Sequence, residues 1–140
     1  MDSRIYYLIT KTESAMSNYI RQRFQSAGLK VTPAQVGILF LLKGGADPTM
    51  TELSRDLGAD NSAVTRAVDR LEKAGLVERK NGTDDRREYR ITITGAGIDE
   101  TEGAKRIIAE INSRIAGEFR QNELDEFRKT LTRMNELFRT

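Results

Sequence analysis

The stretch "TELSRDLGADNSAVTRAVDRLEKAGLVERKNGTDDRREYRITIT", residues 51–94, holds two short helical patterns, a tight turn and an alternating strand pair, in that order. "TELSRDLG" at 51–58 reads as a short helix with Thr51 capping, Leu53 and Leu57 inward, and Gly58 as a left-handed stop. Two residues later Asp60 or Asn61 opens a second helix whose apolar stripe is Val64, Ala67, Val68 and Leu71. Gly75 closes it, with Leu76 placed to touch Leu71 in a Schellman-type ending. Two short helices joined by a tight turn form a helix-turn-helix. "LVERK" at 76–80 and "YRITIT" at 89–94 follow, with Tyr89, Ile91 and Ile93 on one face and Arg90, Thr92 and Thr94 on the other. That pattern is a hairpin. The block predicts a winged helix-turn-helix whose wing is residues 81–88.

The helix at 61–75 sets Ser62, Thr65, Arg66, Asp69 and Arg70 opposite its apolar stripe. Small hydroxyls near its start let the backbone approach a duplex closely, and Arg66 is long enough to reach guanine O6 and N7 or a phosphate. The competing reading is an ordinary solvated face; its place on the second helix, beside a wing, favours recognition. At the wing, two adjacent arginines cost side-chain entropy wherever they are held, so a receiver is expected. The narrow minor groove is one; the competing reading is that the two arginines bridge to Asp84 and Asp85, and both hold in part if Asp85 keeps one arginine while the loop presents the other. The candidate DNA-binding set is therefore Asn61, Ser62, Thr65, Arg66, Arg70, Asp85, Arg86 and Arg87.

Working outward, Ile5, Leu8, Ile9, Met16, Tyr19, Ile20 and Phe24 recur at helical spacing before Gly28 stops the first helix. "TPAQ" at 32–35 is a start signal, with Thr32 capping, Pro33 in the first helical position and Gln35 closing a capping box. The helix that follows, "AQVGILFLLK", is apolar nearly all round and is expected at the centre of the fold, ended by Gly44 and Gly45. The last third carries two stripes, one of Ile98, Ala104, Ile108, Ile111, Ile115 and Phe119, the other of Leu124, Phe127, Leu131, Met134 and Leu137. Both run close to heptad spacing, and covering them takes the first helix and a second copy of the chain. The fold class expected is mainly α (α+β): a winged helix-turn-helix whose N- and C-terminal helices form a dimerisation domain. The expected organisation is an N-terminal dimerisation helix at 1–32, a DNA-binding domain at 33–94 and C-terminal dimerisation helices at 95–140.

Composition narrows the chemistry. The chain of 140 residues has neither cysteine nor histidine, which removes disulfides, thiolate zinc sites, the usual nucleophilic dyads and the commonest general bases. No cofactor or metal is expected, and an enzyme using Asp84 and Asp85 is a poor rival because an exposed loop gives no reason for a raised pKa. The longest apolar run, "ILFLL" at 38–42, is far short of the roughly 18 residues a membrane span needs, and no signal-peptide pattern opens the chain. A cytoplasmic protein without membrane association is expected. Charge is a weak clue: residues 46–97 hold 9 Lys plus Arg against 10 Asp plus Glu, a sum of −1. Within 79–90 five basic residues face three acidic ones, so any positive field is local. "GAGIDE" at 95–100 superficially matches a dinucleotide fingerprint, but Glu100 stands where the third glycine would be and no βαβ unit surrounds it. Gly95 and Gly97 fit a strand-to-helix corner instead.

Over essentially its full length the chain resembles the MarR family of transcription regulators. The resemblance rests on "MTELSRDLGADNSAVTRAVDRLEKAGLVER" at 50–79 and "DRREYRITITGAG" at 85–97, the latter similar to the family's wing signature of Asp-x-Arg, a strand ending in Leu-Thr, here Ile93-Thr94, and a helix-opening glycine. It implies a homodimer with interlocked terminal helices and two winged lobes on a palindromic operator. It also implies that Asp85 pairs with a basic residue while Arg87 enters the minor groove. Family members commonly release DNA when a small aromatic acid or phenol binds. Cysteine-based oxidant sensing and histidine-rich zinc sensing do not fit a chain lacking both residues, and the absence of tryptophan argues against the urate-responsive branch. The function expected is a ligand-modulated, dimeric, DNA-binding regulator, most simply a repressor. The alternative is a protein-binding winged-helix module without DNA affinity, which the −1 sum would suit.

Overall fold

The computed structural model describes residues 4–81 and 88–139. Among the described residues eight elements follow one another: α1 (Arg4–Ser26), α2 (Pro33–Leu42), α3 (Met50–Leu57), α4 (Asn61–Lys73), β1 (Val77–Asn81), β2 (Tyr89–Ile93), α5 (Gly95–Glu118) and α6 (Gln121–Phe138). Two compact units divide the chain, one ending at Ile107 and the other beginning at Ile108.

Local stereochemistry explains the helix ends. In α2 the Gln35 side chain accepts the Thr32 backbone N–H at 3.2 Å behind Pro33. α1 ends in a left-handed Gly28 with Leu29 N–H bonding back to Phe24 O at 2.9 Å. The same closure recurs after α3, where Gly58 has φ 64°, and after α4, where Gly75 has φ 78° and Leu76 N–H bonds Leu71 O at 2.9 Å. One cap differs from expectation. α3 begins at Met50 and is capped by Thr49, not Thr51: Thr49 Oγ1 accepts the Glu52 N–H at 3.2 Å while the Glu52 carboxylate accepts the Thr49 N–H at 3.4 Å. Thr49 is the position three residues ahead of a glutamate, which a capping box requires. α4 is capped by Asp60, of the two candidates, through a 2.8 Å bond from Ala63 N–H.

The first unit is organised around α2, which packs against α1, α3, α4 and β2. Ile38, Leu39 and Leu42 are fully buried there with Leu53, Val68, Leu71, Leu76, Val77 and Ile91. α2 is not buried all round: Phe40 and Leu41 are exposed. β1 and β2 pair antiparallel from Val77 opposite Ile93 to Asn81 opposite Tyr89. The far side of β2 is occupied too, because Ile91 N–H bonds Pro48 O at 2.9 Å and Thr49 bridges Arg90. The chain segment entering α3 thus adds a short third rung, and Arg90 Nη1 clamps it by donating to Asp47 O at 3.0 Å. Of the expected hairpin face only Ile91 is buried; Tyr89 is exposed.

The strand-to-helix corner is tight. Thr94 Oγ1 accepts the Gly97 N–H at 3.0 Å and donates to Gly75 O at 2.7 Å, while Thr94 N–H bonds Leu76 O at 3.1 Å. Gly97 lies so close that a Cβ there would meet Leu76 O at 2.2 Å. This approach turns the Gly97, Thr101, Ala104 and Ile107 side of α5 inward, whereas Ile98, which heads the stripe expected from sequence, is exposed. Thr101, fully buried, satisfies its hydroxyl on Gly97 O at 2.7 Å. Glu100 fastens the α1–α2 turn by accepting Lys30 N–H at 3.1 Å and Val31 N–H at 3.3 Å.

Most of the α1 stripe is exposed: Phe24 is its buried member, while Ile5, Leu8, Ile9, Met16 and Tyr19, with Tyr6 and Tyr7 beside them, face solvent. In the second unit, α6 buries Leu124 and exposes Phe127, Leu131, Leu137 and Phe138.

Candidate nucleic-acid interface

α4 follows α3 after a two-residue break and turns its apolar side to the core through Val64, Val68 and Leu71. The 3.6-residue period then puts Asn61, Ser62, Arg66 and Arg70 in solvent, with Thr65 half-buried at the margin. Five of the eight candidate residues thus share one side of one helix. The remaining three, Asp85, Arg86 and Arg87, lie in 82–87, outside the described residues; β1 and β2 deliver the chain to that connection at Asn81 and Glu88.

The helix entrance is ordered by short polar contacts. Asp60 Oδ1 accepts both the Ser62 hydroxyl, at 2.6 Å, and the Ala63 N–H. The Ser62 and Ala63 hydrogen bonds hold the Asp60 carboxyl below its usual range, with the Arg66 charge as a lesser contribution. Thr65 Oγ1 donates to Asn61 O at 2.7 Å. Asp69, expected on the presented face, is instead engaged: it forms an ion pair with Arg79 of β1, whose Nε also lies 3.9 Å from Glu72. That pair spans ten residues and depends on the strand folding back along α4, a juxtaposition no local sequence pattern contains. It ties helix and hairpin together and occupies Arg79, one of the five basic residues of the local positive cluster.

Elsewhere in the first unit Lys43 pairs with Glu102; their hydrogen bond raises the lysine pKa and lowers that of the glutamate. No group of three or more His, Cys, Asp or Glu among the described residues is placed to hold a metal ion, and no helix among them is long and apolar enough to cross a membrane.

The MarR family model matches residues 31–89, from the start of α2 to the start of β2. The HTH-type transcriptional repressor MdtR of Bacillus subtilis (strain 168) is 36% identical over 83 residues, which cover 56% of this chain; the chain spans only 54% of that relative. The S. aureus MepR–DNA complex superposes with a TM-score of 0.85 at 21% identity, covering 94% of this chain and 95% of MepR. The organohalide-sensing regulator RdhR in its 2,4-dichlorophenol-bound form gives 0.87 at 23% identity, covering 96% of this chain and 79% of RdhR. At these identities the two structures establish a common fold, a winged helix-turn-helix.

Proposed function

We propose, from its membership of the MarR family, that this chain is a transcriptional regulator that binds a palindromic operator as a homodimer, represses, and lets go when a small aromatic or phenolic ligand binds. The observation that carries the reading is the exposed face of α4, with Asn61, Ser62, Arg66 and Arg70 presented on the second helix of a helix-turn-helix. A helix so placed lies in the major groove with its N-terminal residues at the base edges. Arg87, with Asp85 and Arg86 beside it on the wing, takes the adjacent minor groove. The family is one of regulators rather than enzymes, so no catalytic role is assigned.

Dimerisation is supported by the large apolar side chains left in solvent on α1 (Ile5, Tyr6, Tyr7, Leu8, Ile9) and, separately, on α6 (Phe127, Leu131, Leu137, Phe138), the kind of surface that marks an association site. Pairing two lobes with recognition helices about 34–36 Å apart matches half-sites one duplex turn apart. Ligand control is supported by RdhR, which shares the fold and is described in its 2,4-dichlorophenol-bound form, and repression by MdtR, which is named a repressor. Ligand release needs no more than a difference in affinity between two lobe spacings.

The test is selection of bound fragments from the source genome, followed by titration of the recovered site at several salt concentrations. The reading requires a palindrome, a mass twice 15.8 kDa in sedimentation, and a logarithmic salt slope of about −0.9 for each phosphate contacted. Absence of salt-dependent binding to any fragment refutes it.

A further inference from the structure

Both hydroxyls on the reading face have already spent their hydrogen. Each carries a single O–H. Ser62 Oγ lies 2.6 Å from Asp60 Oδ1, and Thr65 Oγ1 lies 2.7 Å from Asn61 O. Neither a carboxylate nor a backbone carbonyl can donate, so serine and threonine are the donors in both bonds. What they turn outward is lone pairs.

We infer that Ser62 and Thr65 are specificity-determining acceptors that read an exocyclic amino group in the major groove, adenine N6 or cytosine N4, rather than donors to a phosphate. This deepens the DNA-binding reading above and rests on it. Phosphate oxygens only accept, so contacting one would require either hydroxyl to abandon its internal partner. The ionised Asp60 carboxylate beside Ser62 further disfavours a phosphate at this end of α4. Among base edges in the major groove, the adenine and cytosine amino groups are the hydrogen-bond donors, while guanine presents acceptors there. Donation to guanine and to the backbone is left to Arg66, Arg70 and the Asn61 amide. The two hydroxyls thus add acceptors to a face whose other side chains, Asn61, Arg66 and Arg70, carry donors, an assignment that the hydroxyl residue types alone do not fix.

The experiment uses the full chain and the recovered operator. Adenine is replaced by purine, lacking the N6 amino group, or cytosine by 2-pyrimidinone, lacking the N4 amino group, one position at a time in each half-site. Wild type, Ser62→Ala and Thr65→Val are titrated on every duplex, after confirming that their melting curves coincide. Loss of one amino contact should weaken wild type by roughly three- to tenfold at one position. Ser62→Ala should bind the native and substituted duplexes equally there, and Thr65→Val should do so at its own position. The adenine and cytosine series distinguish the two bases. The inference is overturned if either variant loses affinity evenly on all duplexes and its salt slope falls by about one, the mark of a phosphate contact. It is also overturned if both variants match wild type on every duplex. Should wild type bind no fragment at all, the DNA-binding reading fails first, and that result is distinct from the other two.

Discussion

Replacing Gly97 by alanine is the most direct test of how the wing is joined to α5. The new Cβ would stand 2.2 Å from Leu76 O and 2.7 Å from Ile93 Cγ1, where ordinary contact begins near 3.4 Å. The helix start must therefore retreat by about 1.2 Å, the difference between 3.4 and 2.2 Å. Leu76 O also accepts the Thr94 N–H at 3.1 Å, and a retreat of that size breaks the bond and pulls Thr94 from its place over Gly75 O. Overpacking costs about 1–3 kcal/mol, and an unsatisfied buried acceptor about 1–3 kcal/mol more. Alanine returns about 0.5–1 kcal/mol of backbone entropy. The net expectation is a loss of about 3 kcal/mol, near 10 °C in Tm for a chain of this size. The assay is thermal melting by circular dichroism at one fixed protein concentration, since association would shift the midpoint. Gly95→Ala is the control: nothing lies within 4 Å of its Cβ, so it should gain about 0.5 kcal/mol through the unfolded chain. If Gly97→Ala melts within 2 °C of wild type, or no lower than Gly95→Ala, the close approach does not hold the corner and the reasoning is wrong.

Three further outcomes are expected. Arg66→Ala should lose about 1–3 kcal/mol of discrimination at one base position while melting with wild type; loss of cooperative melting would make Arg66 structural. Arg87→Ala should weaken operator binding and alter preference at AT-rich flanks, and an unchanged titration counts against minor-groove entry. Asp60 has a carboxyl held below its ordinary value of 3.8, so its contribution is complete above that pH and is lost as pH falls through the lower folded value. Asp60→Asn, which keeps a capping oxygen but does not titrate, should flatten the acid limb of the urea midpoint; an acid limb identical to wild type refutes that assignment.

What was legible in the sequence was mostly chemistry that acts over three or four residues. Gly28, Gly58 and Gly75 ended their helices, one of the two cap candidates, Asp60, capped α4, and the alternation through Ile91 gave the hairpin. The Thr49 cap was equally local, since Glu52 follows it at capping-box spacing, but the nearer Thr51 drew the assignment. Contacts formed by folding were hidden. Asp69 looked like part of the presented face because its partner, Arg79, is brought alongside only when β1 returns along α4. Thr101 belonged to neither apolar stripe, yet it is fully buried, because its hydroxyl is satisfied within its own helix. Isoleucines suggested which side of α5 turns inward, yet the decision belongs to Gly97, the residue small enough to touch the strand exit. Glu100, conspicuous only for spoiling a nucleotide fingerprint, gathers the amides of Lys30 and Val31.

The rung that Pro48 and Thr49 add to β2 has a consequence for how the molecule tolerates crowding. With that border closed, further strand addition to the sheet is confined to β1, whose exposed positions are Glu78, Lys80 and Asn81. Charged side chains along such a border discourage a neighbouring chain from zipping onto it. Copies crowded together would therefore jostle without fusing into ribbons.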